Sequence, residues 1–179
     1  MVRHAEPRRD AAACAAIYAP NVEPGLASFE EEAPSPGEMA ERIESSSRDF
    51  PWLVAERDGR VAGYAYGSRH RTRAGYRWAV DVTVYVDPAS HRGGIGRQLY
   101  EALLPLLARQ RLHVACAGIT LPNDASVGLH EAIGFEPVGV YRDIGFKHGA
   151  WRSVGWWQKR LLPADTPPDE PLAPQRLPR

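Results

Sequence analysis

Cysteine is nearly absent from this chain of 179 residues, which carries only Cys14 and Cys116. Two thiols cannot build a disulfide framework, so a reducing compartment is expected. Charge of one sign is not in surplus either: 22 Lys and Arg balance 22 Asp and Glu. Phosphate backbones need a positive excess, so no nucleic-acid partner is expected. Long hydrophobic runs are missing as well. No stretch approaches the roughly 20 apolar residues that span a bilayer, and the opening Met1-Val2-Arg3-His4-Ala5-Glu6-Pro7 lacks the apolar centre of a signal peptide. A cytoplasmic protein with no membrane partner is the expectation. The run Glu30-Glu31-Glu32 has no His or Asp beside it at ligand spacing, so it reads as a solvated face and no metal is expected.

What is present suits one globular domain. Apolar residues make up 44% of the chain and charged residues 25%, and the length allows one real core. Asp10 is placed to cap a helix through Ala11, Cys14, Ile17 and Tyr18 that Pro20 stops. A loop over 21–37, rich in Pro and Gly, leads to a helix from Pro36 to Ser47 with Met39 and Ile43 on one face. Strands Trp52–Glu56 and Arg60–Tyr66 flank Asp58-Gly59, a strong hairpin pair. A further strand spans Tyr76–Val86 and ends at Asp87-Pro88. The next helix buries Ile95, Leu99, Leu103 and Leu106 or Leu107 and contains Pro105.

A strand near 113–120 follows, with Cys116 as a small core residue, then a helix from Asn123 to Ile133 that Gly134 stops. Segments 136–146 and 151–161 read as a hairpin around Lys147-His148-Gly149. From Pro163 on, six of 17 residues are proline and no apolar period survives. A single domain over 1–162 and a disordered or extended tail over 163–179 are expected.

The chemistry centres on strand, turn and helix: Val82-Thr83-Val84-Tyr85-Val86, then His91-Arg92-Gly93-Gly94-Ile95-Gly96, then a helix from Arg97. Glycines at 93, 94 and 96 let the main chain approach a bulky anion, and free N–H groups at a helix start point at it. The turn lacks the third glycine of the dinucleotide fingerprint and the lysine of the Walker motif. On spacing alone it is equally a plain strand-to-helix turn.

His91 to Gly96 resembles the acetyl-CoA signature of the GNAT acetyltransferases, Arg/Gln-x-x-Gly-x-Gly/Ala, with His91 at the Arg/Gln position. The likeness extends to the phosphinothricin N-acetyltransferase subfamily. Pro51-Trp52-Leu53-Val54-Ala55-Glu56, Thr83-Val84-Tyr85-Val86, Pro122-Asn123-Asp124, Leu129-His130-Glu131-Ala132 and Gly145-Phe146-Lys147-His148-Gly149 carry it, among other matches. The resemblance implies a GNAT α/β fold, a mixed and mostly antiparallel sheet flanked by helices and splayed where the CoA arm enters. It implies acetyl-CoA as co-substrate, bound by Val84, Val86, Arg92, Gly93, Gly94, Ile95, Gly96, Arg97 and Asn123. It also implies a homodimer, for which Trp151, Trp156 and Trp157 are either core or contact residues.

Asp81 stands where the subfamily has a glutamate, and a carboxylate there accepts the proton that an ammonium substrate must lose. Read from spacing alone, Asp81 is a strand-end carboxylate pairing with an arginine. The resemblance places His130 at the active site, binding substrate or assisting proton transfer. It puts Phe29, Arg71, Arg73 and Tyr85 around the acceptor, where arginine suits an anionic group. The implied reaction moves acetyl directly from acetyl-CoA to the amine of a small amino-acid-like substrate. The alternatives are another acceptor, such as a polyamine or a protein N-terminus, and a non-catalytic acyl-CoA sensor.

Overall fold

The computed structural model describes residues 1–164 and 168–174. Seven strands form one sheet: β1 (Val2–His4), β2 (Trp52–Arg57), β3 (Arg60–Arg69), β4 (Ala79–Val86), β5 (Val114–Leu121), β6 (Glu136–Lys147) and β7 (Ala150–Arg160). Their order across the sheet is β1-β2-β3-β4-β5-β7-β6. Only β4 and β5 run parallel; every other neighbouring pair is antiparallel. Helices α1 (Pro7–Val22), α2 (Pro36–Ser46), α3 (Ile95–Arg109) and α4 (Asp124–Ala132) flank it. No helix among the described residues is long and apolar enough to cross a membrane.

The alternation of side chains along β4 separates two cores. Val80 and Val82 are buried with Leu99, Leu103 and Leu107 of α3. Asp81, Thr83 and Tyr85 therefore project to the other face, where Trp52, Val54 and Tyr64 pack with Met39 and Ile43 of α2. The sheet opens at one place. β4 meets β5 only from Ala79 to Asp81, opposite Val114 to Cys116. Beyond that rung β4 stays with β3 as far as Val86, while β5 stays with β7 as far as Leu121. The two strands part, and the β5 side of β4 carries main-chain groups that no strand satisfies.

Several local expectations are corrected. Asp10 does not cap α1 but lies in its first turn, where its carboxylate accepts the Glu6 N–H and both terminal nitrogens of Arg3, each at 2.7 Å. The helix starts earlier, with Pro7 at a position whose N–H would have no intrahelical acceptor anyway. Pro20 lies inside the final turn and does not stop it. Helix α2 starts from a reciprocal cap, Ser35 with Glu38, that composition alone did not single out. Strand β4 begins at Ala79, because Ala74–Tyr76 forms a 3₁₀ turn with its side chains exposed. Glu30 is no simple solvated carboxylate: it takes both Nη atoms of Arg42 at 2.8 and 2.9 Å and the Tyr18 hydroxyl at 3.0 Å.

Part of the proline-rich tail is held against the body of the fold. The Trp78 indole donates to Asp169 O at 2.8 Å, Arg77 pairs with Glu170 at 2.6 Å, and Leu172 exchanges main-chain and side-chain bonds with Gln110. Gln110 is 1% exposed. Hydrogen bonds to a buried amide need no apolar period, which is why composition pointed to disorder. Residues 165–167 and 175–179 of that tail lie outside the described residues.

Candidate active site

Where β4 and β5 part, a cleft of about 730 Å³ opens, bounded by both strands, the first turn of α3 and one side of α4. At its mouth Gly94 adopts φ 73°, the left-handed region, directly before α3. With no side-chain cap there, the first-turn N–H groups stay open beside the exposed guanidinium groups of Arg92 and Arg97. Gly96 packs so closely under α4 that a β-carbon would lie 2.8 Å from Leu129 Cδ2. This is a nest for a phosphate-sized anion. His91 also lines the cleft, and its Nε2 bonds Val86 O at 3.2 Å. Gly93 does not border the cleft; it lies against Arg57.

Val84 and Val86 line the deeper part on the β4 side, and Asn123 lies opposite. Asn123 is also the cap of α4, its Oδ1 accepting Ser126 N–H at 3.1 Å. Eight of the nine residues read as cofactor-binding thus line the cleft, and Gly93 is the exception.

Asp81 occupies the last β4–β5 rung and stands at the lip of the splay. Its carboxylate is engaged: Oδ1 lies 2.6 Å from Nδ1 of His70. Cys116 completes a cluster in which the three polar atoms are within 4.8 Å of one another. Its half-buried position at this edge replaces the expected core role. Burial first, then the Asp81 charge, pushes the Cys116 thiol up to about 11 against the opposing pull of Arg71. It stays protonated at neutral pH and is a poor acetyl carrier.

His130 is not part of that cluster. It is 3% exposed and packs against Tyr100 and Phe135, on the α3 side of the sheet. Its Nδ1 donates to Ser126 O at 2.7 Å and its Nε2 receives the Tyr100 hydroxyl at 3.0 Å. Burial lowers its pKa, only partly offset by the bond to Ser126. Burial favours the neutral ring, and both of its nitrogens are hydrogen-bonded where it lines the cleft.

The four residues expected around an acceptor line three different surfaces: Phe29 one groove, Tyr85 the cleft, and Arg71 with Arg73 another groove. Phe29 covers Gly145 and forms a shallow groove with Tyr141, Ile144, Phe146, Val154 and Trp156. The residue that holds the Phe29 loop had no role assigned from sequence. Lys147 is 6% exposed and donates from one ammonium to the carbonyls of Val22, Ser28 and Glu30. Its sequence signals were its place in the run Gly145–Gly149 that carries the resemblance and the rarity of lysine, since Lys147 and Lys159 are the two in the chain. Tyr85 lines the cleft, with its ring edge-on to Tyr18 at 4.9 Å, and burial raises its pKa. Arg71 and Arg73 are exposed and border a second groove shared with Glu170 and Leu172 of the tail. Arg71 also reaches back, its Nη1 donating to His70 O at 2.9 Å. His70 itself reads from sequence only as one member of the basic run Arg69-His70-Arg71-Thr72-Arg73.

Residues 4–156 match the family model of the acetyltransferase (GNAT) domain. The phosphinothricin N-acetyltransferase of Streptomyces viridochromogenes is 41% identical over 164 residues, covering 91% of this chain and 90% of that one. The L-methionine sulfoximine/L-methionine sulfone acetyltransferase of Salmonella typhimurium is 38% identical over 112 residues, or 63% of this chain and 66% of that one. Among solved structures, a GNAT superfamily phosphinothricin acetyltransferase from Sinorhizobium meliloti in complex with AcCoA superposes with a TM-score of 0.91. It is 34% identical and the match covers 99% of this chain and 97% of that one.

Proposed function

The chain belongs to the GNAT acetyltransferase family, and from that footing we propose that it moves acetyl from acetyl-CoA to the amino group of phosphinothricin, methionine sulfoximine or a close analogue. The observation that carries the reading is the cleft between the parting strands, with an uncapped helix start at one end and Asp81 at the lip of the other. The amides of 92–97 would hold the pyrophosphate, while Arg92 and Arg97 add charge. Val84, Val86 and Asn123 would border the pantetheine arm. The thioester would then reach the lip where β4 has unpaired main-chain groups, one of whose N–H groups stabilises the oxyanion.

On the acceptor side, Phe29 and Tyr85 would enclose the aliphatic part, and Arg71 and Arg73 the anionic end. Asp81 would support loss of the ammonium proton, directly or through a bonded partner. For His130 a positioning role between α3 and α4 fits its two occupied nitrogens better than proton transfer. With Cys116 protonated, transfer is direct: the amine attacks the acetyl carbon and CoA leaves as thiol. The exposed apolar side chains of the β6–β7 hairpin, Val138, Ile144, Phe146 and Trp151 among them, support a homodimer. Two unpaired cysteines are in keeping with a reducing, cytoplasmic setting.

Release of CoA thiol with a panel of amines tests this. Phosphinothricin and methionine sulfoximine should outperform polyamines and peptide N-termini. Turnover of only the latter would refute the acceptor and leave the acetyltransferase; binding of acetyl-CoA without turnover of any amine would favour the sensor.

A further inference from the structure

Asp81 is bonded to a side chain that can itself take a proton. A carboxylate can only accept, so in the neutral imidazole the 2.6 Å contact puts the proton of His70 on Nδ1 and leaves the lone pair on Nε2. Among the described residues Nε2 makes no hydrogen bond. Tyr76 and Trp156 hold the ring edge-on, each with centroids 6.0 Å away. Trp156 also borders the groove under Phe29 and lies against Gly118 of the cleft, where a β-carbon would be 3.3 Å from the indole. His70 thus lies against the indole that separates Gly118 of the cleft from the groove under Phe29. The titratable and charged groups around the pair are Cys116 from β5, Tyr76 from the 3₁₀ turn and Arg71 from the loop.

We propose that His70 Nε2 is the catalytic base and that Asp81 is the positioning residue that fixes its tautomer; the inference rests on the acetyltransferase reading above. An imidazole is better matched than a carboxylate to take an ammonium proton near neutral pH. It also supplies the reach that aspartate lacks beside glutamate. The substrate ammonium gives one proton to Nε2, and Asp81 stabilises the imidazolium without being protonated. The freed amine forms the N–C bond, the C–S bond breaks, and the second nitrogen-bound proton goes to the CoA thiolate. Nε2 returns its proton to water.

Full-length wild type, His70→Gln, His70→Ala and Asp81→Asn are compared by CoA release with phosphinothricin, methionine sulfoximine and a polyamine, alongside calorimetric binding of acetyl-CoA. His70→Gln should lower kcat about a hundredfold or more with acetyl-CoA affinity unchanged, and should lose the acid limb of the kcat/KM profile. Added imidazole should restore part of the activity of His70→Ala, and combining His70→Gln with Asp81→Asn should cost little beyond His70→Gln alone. Wild-type kcat in His70→Gln overturns the inference, as does a loss that imidazole does not rescue and that leaves the pH profile intact. The comparison is made on whichever amine wild type turns over best, so a wrong acceptor appears as a change of amine. A wild type inert on all three overturns the acetyltransferase reading itself.

Discussion

The hydroxyl of Tyr100 and Nε2 of His130 meet at 3.0 Å inside the α3 side of the sheet. Tyr100→Phe strands a buried acceptor and should cost about 1–3 kcal/mol, with kcat changed little. The pH dependence has a definite sign. Burial holds the folded pKa of His130 below its ordinary value, so the folded state binds fewer protons than the unfolded chain. The stabilisation is complete above the unfolded value, about 6.5, and is lost as pH falls toward the folded one. Calorimetric Tm against pH should drop less steeply in acid for His130→Gln than for wild type. A kcat loss in Tyr100→Phe of the size expected for a missing base would contradict the positioning role.

Gly94→Glu places a side chain on a left-handed residue and a negative charge in the anion nest. Acetyl-CoA affinity should fall by about an order of magnitude or more. Calorimetry on a variant shown to be folded checks this, and undiminished binding would remove the pyrophosphate assignment.

Lys147→Met leaves the carbonyls of Val22, Ser28 and Glu30 without their shared donor. The loop carrying Phe29 should loosen, raising the acceptor KM while acetyl-CoA binding stays as it was. Stability should fall by about 1–3 kcal/mol. Steady-state kinetics with thermal unfolding separate the two effects; an unchanged KM would detach this loop from the acceptor.

Arg73 is exposed at the rim beside Arg71 and has no ion pair of its own among the described residues. Arg73→Ala should raise the KM for phosphinothricin about tenfold or more, the value of one charged hydrogen bond, with little change for an uncharged amine. Equal effects on both amines would mean that Arg73 merely supports the loop.

Much was legible in the residues themselves, because the relevant physics is local. The Asp58-Gly59 turn, the α3 stripe of Leu99, Leu103 and Leu107, and the glycines before α3 all report backbone needs and periodicities that a short window contains. The hairpin of β6 and β7 around His148 and Gly149, both at positive φ, was equally readable. Asp10 was misplaced because its partner Arg3 lies in β1, before the helix, a contact that a helix pattern does not encode.

What only the tertiary structure decided is how residues far apart in the chain share one space. Asp81 and His130 read alike as polar residues matched to an active site. The alternation along β4 and the packing of α4 send them to opposite faces of the sheet, one toward His70 and the other toward Tyr100. The cleft itself has no local signature. It exists because β4 stays with β3 while β5 stays with β7, a choice between long-range pairings that is made by the whole sheet and by neither strand alone.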